Sequence, residues 1–254
     1  MQNIHLIIPA AGESSRMEST TPKQFSNFHG KTILEFIESI FSKLVAIKTI
    51  TVALNKNQKY IESLGCQFSK KTSLTDCGGS TRSETVLNTL EIIGGDIQKE
   101  DWIMVHDAAR VGITETLVNN FINELVDDKV GGILAIPALD TVKRVDKKQQ
   151  ITCTEKRDEI WLAQTPQMFR FNLLKRALTS FKGNPTDESE AIEALGLSPK
   201  VVKGSLENFK ITYPEDLLRV DKLIKGSNYD YGGSRLRCSS ACFEEKVNSW
   251  GSVN

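Results

Sequence analysis

The chain has 254 residues, 39% of them hydrophobic, which is enough to bury the core of one large domain. Lysine and arginine number 32 and aspartate and glutamate also number 32, so no basic surplus advertises a nucleic-acid partner and any anionic ligand must be held by a local site. The opening MQNIHLIIPAAG lacks a positive n-region with a long apolar core, and no run of about 18 apolar residues occurs, so a soluble, cytoplasmic protein without a membrane partner is expected.

Short β-branched or apolar runs recur at 4–8, 47–54, 102–105, 130–136 and 200–203 and are predicted as strands. Between them lie apolar residues three or four apart, such as Ile33, Phe36, Ile37, Ile40 and Phe41, which suit amphipathic helices. This alternation predicts an α/β fold with a sheet covered on both faces. Helix starts are marked by Thr81 three residues before Glu84, and by Thr212 three before Glu215 with Pro214 in the first turn. From Thr81 onward, Val86, Leu87, Leu90 and Ile93 form one stripe.

The stretch from Leu139 to Trp161 breaks the rhythm. Its polar centre KKQQ separates TVKRV from ITCT, a pattern open to an exposed hairpin or a surface loop. The tail from Gly226 is rich in glycine and serine and reads as a flexible appendage, with Phe243, Val247 and Trp250 as the candidates for a short docking helix. Five cysteines, Cys66, Cys77, Cys153, Cys238 and Cys242, show no paired C-x-x-C spacing and are expected as free thiols.

Three segments carry chemistry. Residues 8–25, IPAAGESSRMESTTPKQF, follow the first strand; Gly12 and its small neighbours allow close backbone approach to phosphate oxygens, while Arg16 offers a donor fork and Lys23 a compact charge. The spacing is neither G-x-G-x-x-G nor G-x-x-x-x-G-K-[ST], so neither a dinucleotide nor a Walker site is supported. In VHDAAR, Asp107 stands just past a strand, on the side of a parallel sheet where ligands bind, and can hold Mg²⁺, while Arg110 can bind a phosphate. Taken singly, these groups also fit surface ion pairs, and His106 fits a structural imidazole. In NFKIT, Lys210 is either a second phosphate-directed cation or a lysine snorkelling from an edge strand.

The ordered set IPAAGESSRM with TPKQF, VHDAAR, Asp140–Thr141, TPQMF at 165–169, TDE at 186–188 and NFKITYPEDL resembles the 2-C-methyl-D-erythritol 4-phosphate cytidylyltransferase family, over residues 3–225. The resemblance implies a three-layer, Rossmann-like, mostly parallel sheet of the nucleotide-diphospho-sugar transferase type with a projecting β-hairpin arm. It implies a catalytic domain over 1–225, a dimerisation arm at 139–160 exchanged within a homodimer, and an appendage at 226–254. In that family CTP and methylerythritol phosphate give CDP-methylerythritol and pyrophosphate with Mg²⁺, in non-mevalonate isoprenoid synthesis.

By resemblance, Ala10, Ala11, Gly12 and Glu13 belong to the nucleotide loop, Arg16 and Lys23 approach the triphosphate, and Gly79, Ser80, Arg82 and Thr85 serve the cytosine side of CTP. Asp107 resembles the metal-associated acid and Lys210 the second catalytic lysine. Arg110, Thr141, Arg157, Thr165, Thr186 and Lys210 resemble the phosphosugar set, with Thr141 and Arg157 acting on the partner's pocket. The chain departs from the family pattern at Ser14, where a second glycine is common, at Val111, where proline is common, and at Tyr213, where threonine or arginine is more usual. Two rival functions are D-ribitol-5-phosphate cytidylyltransferase, which more often shows an alanine-glycine-glycine loop and DAVR, and a nucleotide-binding regulatory module without catalysis.

Overall fold

The computed structural model describes residues 3–12, 22–55, 61, 64–213, 215–216 and 219–220. Strand β1 (Ile4–Pro9) is followed by β2 (Asn27–Phe28) and β3 (Lys31–Thr32), a small hairpin turning through Gly30 at φ +80°. Thr32 then caps α1 (Ile33–Ser42): its side chain accepts from the Glu35 N–H and the Glu35 carboxylate accepts from the Thr32 N–H, satisfying two donors reciprocally. Strands β4 (Ile47–Ala53) and β5 (Thr72–Thr75) follow, then α2 (Arg82–Ile93), β6 (Trp102–Val105), α3 (Glu115–Leu125) and β7 (Gly131–Pro137). The second half comprises β8 (Lys143–Val145), β9 (Ile151–Thr154), β10 (Trp161–Arg170), α4 (Phe171–Ser180), α5 (Glu188–Glu193) and β11 (Lys200–Lys203).

Seven strands form one sheet in the order β11-β7-β10-β6-β1-β4-β5, parallel except for β10, which runs antiparallel to both its neighbours. Alternate side chains face opposite layers, as the period of a strand requires. Leu6 and Ile8 of β1, Trp102 and Met104 of β6 and Leu134 of β7 join one buried cluster with α1 and α3. Ile7, Ile103, Val105, Ile133 and Ala135 join the other with α2, α4 and α5. The result is the three-layer α/β/α sandwich.

All five predicted strands form. Two sheet strands were not anticipated: β5 is short and polar, and β10 has a central run, QTPQMF, that reads as polar although residues 164–169 are buried. Its polar side chains are satisfied by specific partners: Gln164 Nε2 donates to the Ser205 carbonyl at 2.8 Å, and Gln167 Nε2 to Asp187 Oδ2 at 2.8 Å. Trp161 begins this strand and so belongs to the main sheet rather than to the hairpin.

Strands β8 and β9 pair with each other in a sheet of their own, every residue exposed, so the 139–160 region contains the hairpin rather than a structureless loop. At the α2 start, Thr81 accepts from the Glu84 N–H at 3.1 Å, but the Glu84 carboxylate serves the Ser80 N–H at 2.7 Å instead of closing the predicted box. At the other predicted start, the Thr212 and Tyr213 N–H groups donate to Asp216 Oδ2 at 2.7 and 2.9 Å, so the acid rather than Thr212 accepts there; Pro214 lies outside the described residues. The NFKIT run forms no strand. Cys66, Cys77 and Cys153 are free. The 226–254 segment, with Cys238, Cys242, Phe243, Val247 and Trp250, lies outside the described residues, and no described helix is long and apolar enough to cross a membrane.

Candidate active site

Strand order alone locates a crevice. From β1 the chain steps through α1 on one face to β4, and later through α2 on the other face to β6, on β1's opposite side, so the two crossovers diverge above the carboxyl ends of β1 and β6. A cavity of about 600 Å³ opens there. Ala10, Ala11 and Gly12 leave β1 into its wall, Gly79 to Arg82 enter from the α2 side, and Asp107 and Lys210 close the rest.

The small-residue loop is held by Gln24, whose Nε2 donates to the carbonyls of Ala10 and Gly12 at 2.8 and 2.9 Å. Gly78 is required for the approach of the neighbouring loop: a Cβ there would lie 2.6 Å from the Ala11 Cβ and 2.8 Å from the Leu54 carbonyl oxygen. Thr85, buried at the start of α2, accepts from the Gly79 N–H at 3.0 Å and donates to the Thr81 carbonyl at 2.9 Å, so its hydroxyl shapes this wall.

Asp107 is the hub of the charge arrangement. It is 6% exposed. Its Oδ1 receives Arg82 Nε at 2.8 Å, and its Oδ2 faces Lys210 Nζ at 2.9 Å and Arg110 Nε at 3.6 Å. Burial works to raise this carboxyl, but Arg82, Lys210 and Arg110 outweigh it and hold Asp107 well below the usual carboxylate range. Its N–H donates to Thr165 Oγ1 at 3.1 Å, which the interruption of β10 pairing between Ala163 and Gln167 allows to sit beneath it. His106 is fully buried between Thr165 Oγ1 and the Arg110 carbonyl, each 3.2 Å away; burial pulls its pKa down to about 3, against the pull of Asp107, and the ring is a neutral structural group.

Lys23 reaches across 188 positions to donate to the Ile211 carbonyl at 2.6 Å, beside Lys210. Three charge carriers that the sequence scatters, Lys23, Asp107 and Lys210, therefore line one cavity. Ala10, Ala11, Gly12, Gly79, Ser80, Arg82 and Thr85 line it with them, while Glu13 and Arg16 lie outside the described residues.

The phosphosugar candidates are more dispersed. Arg110 lies under the Asp107 corner, with Nη1 donating to the Asn208 carbonyl at 2.8 Å. Thr165 is buried with its hydroxyl engaged as above. Thr186 is exposed, its N–H and Oγ1 both donating to Glu190 Oε2, at 2.6 and 2.8 Å. Thr141 and Arg157 lie on exposed chain flanking the hairpin, where Arg157 donates to the Leu139 carbonyl at 2.8 Å. None of these five is among the residues lining the cavity.

Sequence reasoning passed over Gln24 and Glu188. Glu188 is completely buried and takes both terminal nitrogens of Arg82, at 2.7 and 3.0 Å. Burial pushes the Glu188 carboxyl up, against the pull of Arg82. Burial works to lower the Arg82 guanidinium, but Glu188 and Asp107 outweigh it and hold it well above the ordinary arginine range. Both residues stand inside quoted motifs, and only the fold supplies the signal that they are buried.

The family described as 2-C-methyl-D-erythritol 4-phosphate cytidylyltransferase (IspD) matches residues 4–225. The chain belongs to that family. A cytidylyltransferase of this family from Nitrosomonas eutropha is 42% identical over 222 residues, covering 86% of this chain and 95% of the relative. One from Pseudomonas aeruginosa PAO1 is 40% identical over 220 residues, covering 85% and 94%. Among solved structures, a 4-diphosphocytidyl-2C-methyl-D-erythritol synthase superposes with a TM-score of 0.77 at 33% identity, covering 88% of this chain and all of that one. The Francisella tularensis IspD gives 0.70 at 33% identity, covering 86% and 98%.

Among the described residues, no group of three or more histidine, cysteine, aspartate or glutamate side chains could hold a metal by itself. Asp107 brings one carboxylate to the cavity, its oxygens shared with Arg82, Lys210 and Arg110. That suits Mg²⁺ carried in with a nucleotide, which is ordinarily bound by one or two carboxylates plus substrate phosphates, and unsuited to a metal caged by protein alone.

Proposed function

We propose that the chain transfers CMP from CTP to 2-C-methyl-D-erythritol 4-phosphate, releasing pyrophosphate, in non-mevalonate isoprenoid synthesis. Membership of the family supports the reaction, and the observation that carries it to this cavity is the convergence of Lys23, Lys210 and Asp107 at the carboxyl edge of β1 and β6.

A phosphate oxygen of the sugar attacks the α-phosphorus of CTP in line, the bond to the β-phosphate breaks, and pyrophosphate leaves with the electron pair. Both reactants are anions, so the cost to be lowered is charge repulsion. Lys23, Lys210 and Arg16 stabilise the extra negative charge of the pentacoordinate state, while the loop of Ala10, Ala11, Gly12 and Glu13 presents backbone to the phosphates and Gly79, Ser80, Arg82 and Thr85 frame the cytosine side. The attacking phosphate is already ionised near neutral pH, so no general base is needed, in keeping with the neutral, enclosed His106. Asp107 would hold a Mg²⁺ brought in with the nucleotide, which would supply further neutralisation of the triphosphate charge.

Arg110, Thr141, Arg157, Thr165, Thr186 and Lys210 form the phosphosugar set. Thr141 and Arg157 act on the pocket of a second copy, through arm exchange in a homodimer of this cytoplasmic enzyme. Leu139, Val145, Ile151, Trp161 and Leu162, on and beside the hairpin, are each more than 40% exposed, an apolar surface that a second copy would cover.

The deciding assay offers CTP and Mg²⁺ with methylerythritol phosphate or D-ribitol 5-phosphate and identifies the nucleotide product. CDP-methylerythritol with stoichiometric pyrophosphate is expected. Exclusive use of ribitol phosphate would overturn the substrate, and CTP binding without product from either sugar would turn the reading toward a regulatory module.

A further inference from the structure

Glu188 opens α5, and its position is fixed from several directions. The Asp187 cap accepts from the Glu190 N–H at 2.9 Å through Oδ1 and from Gln167 Nε2 at 2.8 Å through Oδ2, and the Ser189 N–H donates to Gln167 Oε1 at 3.0 Å. The fully buried carboxylate is thereby aimed at Arg82. A buried ion pair is weak ground for a stabilising role, because well-packed apolar residues of the same volume commonly serve as well or better. The Arg82 side chain, moreover, is 25% exposed, and it lines the cavity.

What the pair does is divide donors among acceptors. A guanidinium left to itself grips a carboxylate with two parallel bonds. Here Arg82 turns its terminal edge to Glu188, giving one N–H each from Nη1 and Nη2, and reaches Asp107 through Nε, at Oδ1. Oδ2 stays with Lys210 and Arg110. We propose that Glu188 is a positioning residue for the transfer: by holding the terminal edge of the Arg82 guanidinium it orients that arginine so that Nε meets one oxygen of Asp107, and the other oxygen is kept for the Lys210 and Arg110 side of the site. Without it, the Arg82 fork closes on Asp107, displaces Lys210 from its place beside the cavity, and disturbs the charge arrangement that the reacting phosphates meet. Glu188 also follows Thr186 by two positions, so one short segment supplies both a phosphosugar candidate and the anchor of the nucleotide-side cations.

The inference rests on the transfer reading above; turnover by the parental chain tests that reading, and turnover of the variants relative to the parent tests Glu188, so the two fail separately. Glu188→Gln keeps the shape and removes the acceptor for one guanidinium nitrogen. Glu188→Asp keeps the buried charge and withdraws the fork by one methylene, which guards against a variant that does not fold. Displacing groups at a reacting centre by about 1 Å can cost on the order of a hundredfold, so kcat is expected to fall about ten- to a hundredfold in both. Both variants are expected to bind CTP with full stoichiometry, measured calorimetrically without the sugar phosphate and below their melting temperatures, since removing one member of a buried pair lowers stability and Arg82 and Lys210 both line the cavity. A folded E188Q or E188D that binds CTP with full stoichiometry and turns over at the parental kcat would overturn the proposal. So would a lowered turnover explained entirely by a lowered CTP-binding stoichiometry, since that marks a purely structural role.

Discussion

Lys23 bears the heaviest single expectation. Its ammonium is anchored to the Ile211 carbonyl at the cavity wall, and the proposed transfer has it meet a phosphate there. Losing one oriented donor to a developing oxyanion costs about 3 kcal/mol, or about a hundredfold in rate. Lys23→Ala is therefore expected to lower kcat about a hundredfold at saturating CTP with the far-ultraviolet circular dichroism unchanged, and near-normal turnover in the folded variant would remove Lys23 from the mechanism. This residue stood out as a lysine in a small-residue loop with no apolar periodicity to explain it, Asp107 as an acid just past a strand, and Lys210 as a cation between apolar residues. Glu188 did not, because a glutamate after Thr-Asp reads as an ordinary first-turn acid favoured by the helix dipole. Only the antiparallel placement of β10, which brings Gln167 to α5, buries it.

At the level of elements, hydrophobic runs were enough for the strands that are buried on both faces, such as β1 and β6. They failed for β10, whose core-facing Gln164, Thr165 and Gln167 are buried because Ser205, Asp107, Asp187 and Ser189 satisfy them across long sequence separations. The hairpin of β8 and β9 was half legible: its polar turn signalled the reversal, but a two-stranded sheet with every residue exposed has no core of its own to reveal what covers it. In the homodimer proposed above, arm exchange is what covers it. It predicts a solution mass of two chains by light scattering under assay conditions, and a monomer with full activity would exclude any requirement for the arm of a second copy.

Across the whole molecule, acid stability is set by groups that the fold keeps from titrating normally. His5 lies buried in β1, with Nδ1 2.8 Å from Thr49 Oγ1 and Nε2 3.4 Å from Asp101 Oδ2. Burial lowers its pKa, and Asp101 only partly offsets this. An unfolded chain takes up a proton at this position below about pH 6.5, whereas the folded chain resists it, so stability falls as pH drops from that value toward the lower folded one. His106 adds in the same direction. The depressed carboxyls Asp101 and Asp107 act lower, since stability from a lowered carboxyl is lost only as pH falls below about 3.9. Urea unfolding at pH 7.5 and 5.0 should therefore show lower stability at pH 5.0, with a smaller difference in His5→Gln; an equal difference would assign the effect elsewhere.

The central claim is spatial: cations far apart in sequence meet one acid around a single nucleotide triphosphate. A crystal structure with CTP and Mg²⁺ tests it most directly. The account predicts the triphosphate between Gly12 and Asp107, with Lys23 Nζ and Lys210 Nζ both within about 3 Å of its oxygens. A catalytically competent complex with the triphosphate elsewhere, or with either lysine turned away from it, would contradict the account.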